Sequence, residues 1–244
     1  MTFLKYDTYK MPKAGNSPEE YEDGFSVKEI NEEEIRFAIA DGATESSFSG
    51  IWAALLCEGY TESIPIASLK ERWLARVDAL ELPWYAREKA EQGAWAAYLG
   101  ASFFSGKSNR LEIQAYGDCN IFQIREDSLL KAFPLTISSE FGSTPALLSS
   151  LDQKQESLDD FQNFQNIDYH WQEGDRFLLM TDALAAWFLN EIESKSDGFN
   201  RIFALNNQEE FEKLVAEERE KRDPEKGPRL KNDDVTLIKI DTKK

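Results

Sequence analysis

The sequence predicts a fold of the α+β class. Predicted helices follow a pair of predicted strands, and this order argues against a parallel sheet in which strands and helices alternate. Three more strands then follow one another with only short polar turns between them, as in an antiparallel meander. The chain has 244 residues, of which 41% are hydrophobic and 12% aromatic. This length and composition suit one folded domain, residues 1–244, with a sizeable core.

The first two strands are predicted at residues 21–30 and 35–40, with a charged turn at residues 28–34 between them. Apolar side chains alternate along the second strand, which is typical of a strand with one buried face. This strand ends at Asp41-Gly42, a dipeptide that favours a turn.

Apolar residues recur with helical spacing after this turn. The first stripe consists of Phe48, Ile51, Trp52, Leu55 and Leu56, and Ser46 or Ser47 is expected to cap the helix. A second helix is predicted at residues 68–80. Pro83 is predicted to start a third helix that runs to about Leu99, because proline suits the first helical turn.

The second half of the chain is predicted to contain strands and helices around one long irregular segment. The strands are predicted at residues 110–116, 119–125, 128–133, 176–181 and 235–240, and the helices at 182–192, 198–205 and 208–222. Residues 135–167 are rich in Ser, Gln, Asn and Asp and lack a clear period. We expect this segment to be a flap-like surface excursion, of the kind that often carries substrate contacts.

The charge balance disfavours several classes of function. The chain carries 28 basic and 45 acidic residues, a net charge of −17, which opposes binding to the phosphates of nucleic acids. The sequence contains no apolar run of about 20 residues, the length that a membrane-spanning helix needs. The first 13 residues lack the apolar core of a signal peptide. We therefore expect a cytoplasmic monomer that binds neither nucleic acid nor membrane.

The cysteines and the histidine are not expected to take part in catalysis. Cys57 and Cys119 do not form a Cys-x-x-Cys pair, which disfavours a zinc site, and both are expected to be buried, inert thiols. His170 is the only histidine, and no Gly-x-Ser-x-Gly motif supplies a serine nucleophile for it. We expect His170 to be a structural or surface residue.

Acidic residues stand at the ends of several predicted strands. They are Glu22-Asp23, Asp41-Gly42, Asp182 and Asp233-Asp234. Taken singly, each has an ordinary explanation, since Asp-Gly is usually a turn and an aspartate before a helix usually caps it. Brought together, their carboxylates would form a site for Mg²⁺ or Mn²⁺, which prefer oxygen ligands. Such ions promote the attack of water on phosphate esters.

Five short motifs occur in an order that resembles a known family. They are Tyr21-Glu22-Asp23-Gly24-Phe25, Phe37-Ala38-Ile39-Ala40-Asp41-Gly42-Ala43, Tyr116-Gly117-Asp118-Cys119-Asn120, Leu179-Met180-Thr181-Asp182-Ala183-Leu184 and Asn232-Asp233-Asp234-Val235-Thr236. In this order they resemble the motifs of the metal-dependent serine/threonine protein phosphatases of type 2C, the PPM family. The chain looks like a divergent member of bacterial type, and the resemblance covers residues 15–240. It implies two packed antiparallel β-sheets flanked by helices on both faces.

The resemblance also implies how the metal ions would be held. Asp41 would bridge two core ions of Mg²⁺ or Mn²⁺, and Gly42 would add its carbonyl oxygen. Glu22 would complete one side of the pair, whereas Asp182 and Asp233 would complete the other. Catalysis would then depend on Asp41, Asp182 and Asp233.

Two further aspartates would support this centre. The resemblance implies that Asp118 holds a third, weaker ion. Asp23 would orient the ligands or the water molecules around the ions.

The activity implied by the resemblance is the removal of phosphate from phosphoserine and phosphothreonine in phosphorylated proteins, through attack by a water that bridges the metal ions. Three departures from the family pattern leave an alternative open. Ala183 stands where the family has glycine, Gly100-Ala101-Ser102 replaces Gly-Thr-Thr, and Pro18 occupies the place of a phosphate-gripping arginine, for which Lys10 or Lys13 could substitute. The alternative is a catalytically impaired phosphatase-like module that binds phosphoproteins or acts as a scaffold in signalling.

Overall fold

The computed structural model describes residues 3–142, 144–152, 164–223 and 227–242. The strands are β1 (Leu4–Met11), β2 (Gly24–Asn31), β3 (Glu34–Gly42), β4 (Trp95–Phe104), β5 (Arg110–Tyr116), β6 (Asn120–Arg125), β7 (Ser128–Phe133), β8 (Leu148–Ser149), β9 (Gln165–His170), β10 (Arg176–Met180), β11 (Arg222–Asp223), β12 (Gly227–Pro228) and β13 (Val235–Thr242). The helices are α1 (Ser49–Glu62), α2 (Ile66–Asp78), α3 (Trp84–Ala90), α4 (Asp182–Glu193), α5 (Gly198–Phe203) and α6 (Gln208–Glu220).

Two antiparallel sheets form the centre of the fold. Sheet I has the strand order β1-β13-β10-β6-β7, and sheet II has the order β2-β3-β4-β5-β9, with β8 paired to β4. The core between the sheets includes Phe103 of sheet II and Phe177 of sheet I, whose rings meet edge to face with centroids 4.9 Å apart. The predicted α+β class and the antiparallel sheets are confirmed.

Helices cover the outer face of each sheet. Trp52 of α1 and Trp73 of α2 pack on the side of sheet II that carries Ala38 and Ala40. On sheet I, Trp187, Phe188 and Phe211 of α4 and α6 belong to a second outer core, together with strand residues such as Phe122 and Leu178. The layers therefore run helix, sheet, sheet, helix, as the resemblance implies.

The third predicted helix is wrong over most of its length. Helix α3 ends at Ala90, Gly93 takes a positive φ of 78°, and the chain then enters β4 at Trp95. Strand β4 lies between β3 and β5, and all its residues except the two terminal ones are buried. A strand buried on both faces has a continuous apolar run without alternation, so its sequence cannot be told from that of a buried helix.

The prediction that Ser46 or Ser47 caps α1 is also wrong. Phe48 is the residue before the helix, with a positive φ of 64°, and its side chain makes no capping hydrogen bond. Ser46 instead donates its hydroxyl to the Ala43 carbonyl at 2.9 Å and accepts the Trp95 N–H at 3.2 Å. Ser46 therefore joins the end of β3 to the start of β4.

The segment predicted as a surface excursion, residues 135–167, is partly buried. Residues 143 and 153–163 lie outside the described residues. Leu148 and Ser150 are buried, the Leu148 carbonyl accepts the indole N–H of Trp52 at 2.9 Å, and the Ser150 hydroxyl accepts the Ala94 N–H at 2.8 Å. The end of the segment belongs to β9, which together with β1 was not predicted.

The two cysteines are buried, whereas the single histidine lies on the surface. Cys57 and Cys119 are both free and buried, as predicted, and burial raises the pKa of each thiol well above its ordinary value. His170 is exposed, with Nδ1 3.0 Å from the Ser108 hydroxyl. No helix in the described part of the chain is both long and apolar enough to cross a bilayer.

Gly24 allows α1 to lie directly against sheet II. A Cβ atom at this position would lie 2.7 Å from the carbonyl carbon of Ala53 and 2.8 Å from its oxygen, both in the backbone of α1. Because these atoms belong to a helix backbone, they cannot move aside as the end of a flexible side chain would.

Substitution Gly24→Ala should therefore lower the free energy of unfolding by about 1–3 kcal/mol, the usual cost of overpacking. The matched control is Gly106→Ala, where a Cβ atom would meet nothing within 4 Å, and the change should stay within about 0.5 kcal/mol. Urea denaturation of both variants measures the difference. Equal stability of the two variants would contradict the close approach.

Asp175 is a buried carboxylate with an unusually complete set of donors. It accepts two hydrogen bonds from Arg125, at 2.7 and 3.0 Å, one from Gln123 at 2.7 Å and one from the N–H of Gln172 at 2.9 Å. Burial alone would raise the pKa of Asp175, but the hydrogen bonds from these three residues outweigh it and hold the pKa below its ordinary value.

Substitution Asp175→Asn should lower the free energy of unfolding at pH 7 by about 2 kcal/mol, because the hydrogen bonds lose their charged acceptor. Since the folded-state pKa is depressed, the carboxylate stabilises the protein above the unfolded-state pKa of about 3.9, and this contribution is lost as the pH falls through the folded-state pKa. The difference between wild type and variant in urea denaturation should thus shrink in acid. The control Asp127→Asn alters a side chain that is 89% exposed and should change little.

Candidate active site

One cleft collects acidic residues from four separate parts of the chain. Asp41 stands at the end of β3, Asp118 in the turn between β5 and β6, Asp182 at the start of α4, and Asp233 in the loop before β13. The cleft has a volume of about 760 Å³. Its lining comprises Asp41, Ala43, Thr44, Glu45, Ser46, Ser47, Lys89, Gln92, Gly93, Trp95, Ala97, Asp118, Gly142, Pro145, Leu147, Asp182, Lys231 and Asp233.

Gly42 places Glu22 beside the end of β3. A Cβ atom on Gly42 would lie 2.5 Å from the carbonyl oxygen of Glu22 and 2.9 Å from the carbonyl carbon of Ser49, so only glycine fits between them. The Glu22 carboxylate accepts a hydrogen bond from the Ser49 hydroxyl at 2.7 Å. This close approach explains why position 42 is a glycine. It is separate from the role of the Gly42 carbonyl as a metal ligand, which the resemblance implies.

Asp23 is buried and connects the two sheets. One carboxylate oxygen accepts hydrogen bonds from the hydroxyls of Thr181, at 3.0 Å, and Thr236, at 2.7 Å. Thr236 also contacts the Tyr21 hydroxyl, and its N–H donates to the Thr181 hydroxyl oxygen at 3.0 Å. The other oxygen of Asp23 is buried without a hydrogen-bond partner, and burial raises the pKa of Asp23 well above its ordinary value. Its orienting role stays a prediction.

Asp41 lies close to the charged side chain of Asp182. Burial raises the pKa of Asp41 well above its ordinary value, and the charges of Asp182 and Asp23 raise it further. Asp182 is the first residue of α4, where its Oδ1 accepts the N–H of Ala183. Thr181, rather than Asp182, occupies the capping position of the helix.

Asp118 is a buried carboxylate of the cleft. Burial raises the pKa of Asp118 to about 7, and the charge of Asp182 adds to the shift. Its Oδ1 is buried without a hydrogen-bond partner. The preceding Gly117 has a φ of 95°, and a Cβ atom there would lie 2.6 Å from that of Ala97, so glycine is required at this turn.

Lys231 is a residue of the site that sequence reasoning missed. Its ammonium lies 2.6 Å from Oδ2 of Asp233 and 3.7 Å from Oδ2 of Asp182. Burial works against the charged form, but the hydrogen bond to Asp233 and the charges of Asp182 and Asp41 outweigh it and raise the pKa of Lys231. The only sequence feature that could have pointed to Lys231 is its position two residues before the acidic pair Asp233-Asp234.

Asp234 holds the N-terminal segment against the site. Its two carboxylate oxygens accept the N–H groups of Lys13, at 2.7 Å, and Glu22, at 2.6 Å. The side chain of Asn232 binds both the N–H of Ala14, at 2.7 Å, and its carbonyl, at 3.2 Å. These residues fix the segment that carries Glu22, a role that the sequence did not indicate.

The two lysines considered as substitutes for the arginine have different positions. The Lys13 ammonium lies 3.7 Å from the Glu22 carboxylate and 3.4 Å from the hydroxyl of Thr44, which lines the cleft. The Lys10 ammonium lies 5.0 Å from the ring centre of Tyr21 instead. Of the two, Lys13 is the one that contacts a residue of the cleft wall.

The other departures from the family pattern have structural explanations. Ala183 is the second residue of α4 and is buried, so its helical backbone does not require glycine. The Gly100-Ala101-Ser102 run lies in the middle of β4, and none of its residues lines the cleft.

The donor set fits a hard divalent cation. Asp41, Asp118, Asp182 and Asp233 offer carboxylate oxygens to one space, and buried oxygens of Asp23 and Asp118 lack hydrogen-bond partners. Among the described residues, no three His, Cys, Asp or Glu side chains already stand at coordinating distances from a common point. The carboxylates repel one another, so a cation is what would draw them together.

No protein-family model matches the sequence, and no curated protein matches it. Solved structures do match. The photosystem II phosphatase PBCP is 18% identical, with a TM-score of 0.59, and the match covers 98% of this chain and 99% of PBCP. The catalytic domain of the serine/threonine phosphatase PstP, solved with two manganese ions, is 14% identical, with a TM-score of 0.57 and 99% of both chains covered.

PppA of Pseudomonas aeruginosa, described as a regulatory component of the type VI secretion system (T6SS), is 14% identical, with a TM-score of 0.56 and 98% of both chains covered. At such low identity the likeness concerns the fold, and it extends over nearly the whole chain. The motifs, the two-sheet architecture and these matches lead to one conclusion: the chain has the PPM-type fold of the type 2C phosphatases.

Proposed function

We propose that this protein is a metal-dependent phosphomonoester hydrolase that removes phosphate from phosphoserine and phosphothreonine in proteins. The observation that carries the proposal is the meeting of Asp41, Asp118, Asp182 and Asp233 in one cleft, although they are far apart in sequence. The two manganese ions in PstP, which shares the fold, support metal dependence.

Each acidic residue has a distinct part in this proposal. Glu22, Asp41 and the carbonyl of Gly42 would hold one Mg²⁺ or Mn²⁺ ion, Asp41, Asp182 and Asp233 would hold a second, and Asp118 would serve a third. Divalent ions here would activate water and neutralise the charge that develops on the phosphoryl group. Asp23 would keep Thr181, the neighbour of Asp182, in place through its hydrogen bond.

The walls of the cleft suit a phosphorylated side chain. Thr44 and Ser47 line the cleft with side-chain hydroxyls, which can donate hydrogen bonds to phosphate oxygens. Lys89 and Lys231 add positive charge to the same walls, in a protein with a net charge of −17. The phosphate would therefore meet cations and hydroxyls at the place where it must bind.

The competing proposal is a module that binds phosphoproteins without hydrolysing them. The observation in its favour is the absence of the arginine, since Lys13 pairs with Glu22 and an ammonium lacks the two-pronged geometry of a guanidinium. Turnover separates the two proposals.

Activity should depend strictly on divalent metal. With Mn²⁺ present, we expect hydrolysis of p-nitrophenyl phosphate and of a phosphothreonine peptide, loss of both after EDTA treatment and gel filtration, and recovery when Mn²⁺ is restored. Phosphate release measures each step. Activity that persists after complete removal of metal would refute the mechanism, and binding of the phosphopeptide without turnover would favour the competing module.

Asp41→Asn tests the bridging ligand. The variant loses a negative charge shared by both ions, so Mn²⁺ affinity should fall by roughly a hundredfold or more, since even the loss of an outer partner of a metal ligand costs 10–100-fold. The melting temperature of the metal-free protein should rise or stay level, because the change removes repulsion from Asp182 and Asp23.

Calorimetric titration with Mn²⁺ and thermal melts after EDTA treatment measure the two effects. The control Asp127→Asn alters an exposed carboxylate outside the cleft and should keep the wild-type affinity. If Asp41→Asn also binds Mn²⁺ like the wild type, then Asp41 is only a turn residue and the proposed site is wrong.

A further inference from the structure

Lys231 contacts both carboxylates that are proposed to hold one side of the metal pair. The same ammonium lies 2.6 Å from Oδ2 of Asp233 and 3.7 Å from Oδ2 of Asp182. In the described part of the chain, it is the one lysine or arginine side chain within 4 Å of either carboxylate. It therefore stands between the oxygens that a divalent ion would use.

Lys231 is surrounded by carboxylates whose negative charges need compensation. Asp41, Asp118, Asp182 and Asp233 all line the same cleft, and the Asp118 carboxylate has a buried oxygen without a partner. Such a group of carboxylates is unstable without positive charge nearby. A resident ammonium supplies that charge whenever no divalent ion does.

Lys231 is also able to leave. Its side chain is 66% exposed, and it ends a flexible stem on the wall of an open cleft. Its partners Asp182 and Asp233 are 18% and 23% exposed and are held by structure around them: Asp182 by the first turn of α4, and Asp233 by the hydrogen bond from Arg219 to its carbonyl. Displacement would thus move the lysine and leave the ligands in place.

We propose that Lys231 is an internal counter-ion that competes with the divalent ion on the Asp182–Asp233 side of the site. The ammonium stabilises the metal-free protein, and a divalent ion binds there only by displacing it. This proposal rests on the proposed metal ligands. Lys231 thus lowers the affinity of the site for metal, whereas the ligands raise it.

The decisive variant is Lys231→Met, which keeps an unbranched side chain and removes the charge. Titration of Mn²⁺ into the metal-free variant should show binding about tenfold tighter than in the wild type, equivalent to about 1.4 kcal/mol. Lys231→Arg, which retains the charge, should bind Mn²⁺ no more tightly than the wild type.

The matched control is Lys89→Met. Lys89 is an exposed lysine that lines the same cleft but lies more than 4 Å from the carboxylates of Asp182 and Asp233. Its replacement by methionine removes the same charge as Lys231→Met. The Mn²⁺ affinity of Lys89→Met should stay within about twofold of the wild type, because an exposed charge is screened by water and salt.

Thermal melts separate competition from a merely structural role. Lys231→Met should melt at a lower temperature than the wild type without metal, and Mn²⁺ should raise its melting temperature by more than it raises that of the wild type. A purely structural lysine would lower the melting temperature without tightening Mn²⁺ binding. If the methionine variant does not fold, Lys231→Gln, which is also uncharged, serves for the same measurements.

The outcomes distinguish this inference from the proposed function. If the wild-type protein binds Mn²⁺ and Lys231→Met binds it with equal or lower affinity, the counter-ion role is overturned and the metal site remains. Tighter binding in both Lys231→Met and Lys89→Met would show a general charge effect and would also overturn it. Absence of Mn²⁺ binding in the wild type would instead refute the proposed metal site.

Discussion

The buried carboxylate of Asp23 joins the two sheets at the site. Asp23 directly precedes β2 of sheet II. Its hydrogen-bond partners are Thr181, the residue that follows β10 of sheet I, and Thr236 of β13 in the same sheet. Burying a carboxylate costs free energy unless hydrogen bonds compensate for the lost water. The position of Asp23 therefore requires that these segments meet, and the meeting places Asp182 and the loop before β13 around one cleft, with Glu22 beside the end of β3.

Close backbone contacts set the distances between the segments around the site. Gly42 permits the end of β3 to touch the backbone of Glu22 and Ser49, and Gly24 permits β2 to touch α1. Asp234 then ties the N–H of Glu22 to the last loop from the other direction. Each contact is between backbone atoms, or between backbone and a buried carboxylate, so none of them depends on the end of a flexible side chain.

The negative charges of the site destabilise the folded state, because folding buries them close together. Burial and mutual repulsion raise the pKa values of Asp23, Asp41 and Asp118, so the folded state bears a cost at neutral pH that cations can relieve. Lysines stand at both ends of the cluster, Lys13 beside Glu22 and Lys231 beside Asp182 and Asp233. Stability and ion binding are therefore linked in this fold.

The sequence by itself determined the class of fold and most strands and helices, because alternation and helical spacing are local properties of a chain. Its short ordered motifs also singled out Glu22, Asp41, Asp118, Asp182 and Asp233 as candidate metal ligands, and these roles stay predictions. Its errors have the same origin. Residues 91–99 were assigned to a helix because β4 is buried on both faces and lacks alternation, and β1 was missed although it pairs with β13.

The tertiary structure alone decided which polar groups meet. The contacts of Asp234 with Lys13 and Glu22 span more than 200 residues, and those of Asp23 with Thr181 and Thr236 span 158 and 213. Lys231 contacts Asp182 only because the loop before β13 passes the start of α4. No local pattern encodes such pairs, since they arise when strands distant in sequence become neighbours in a sheet.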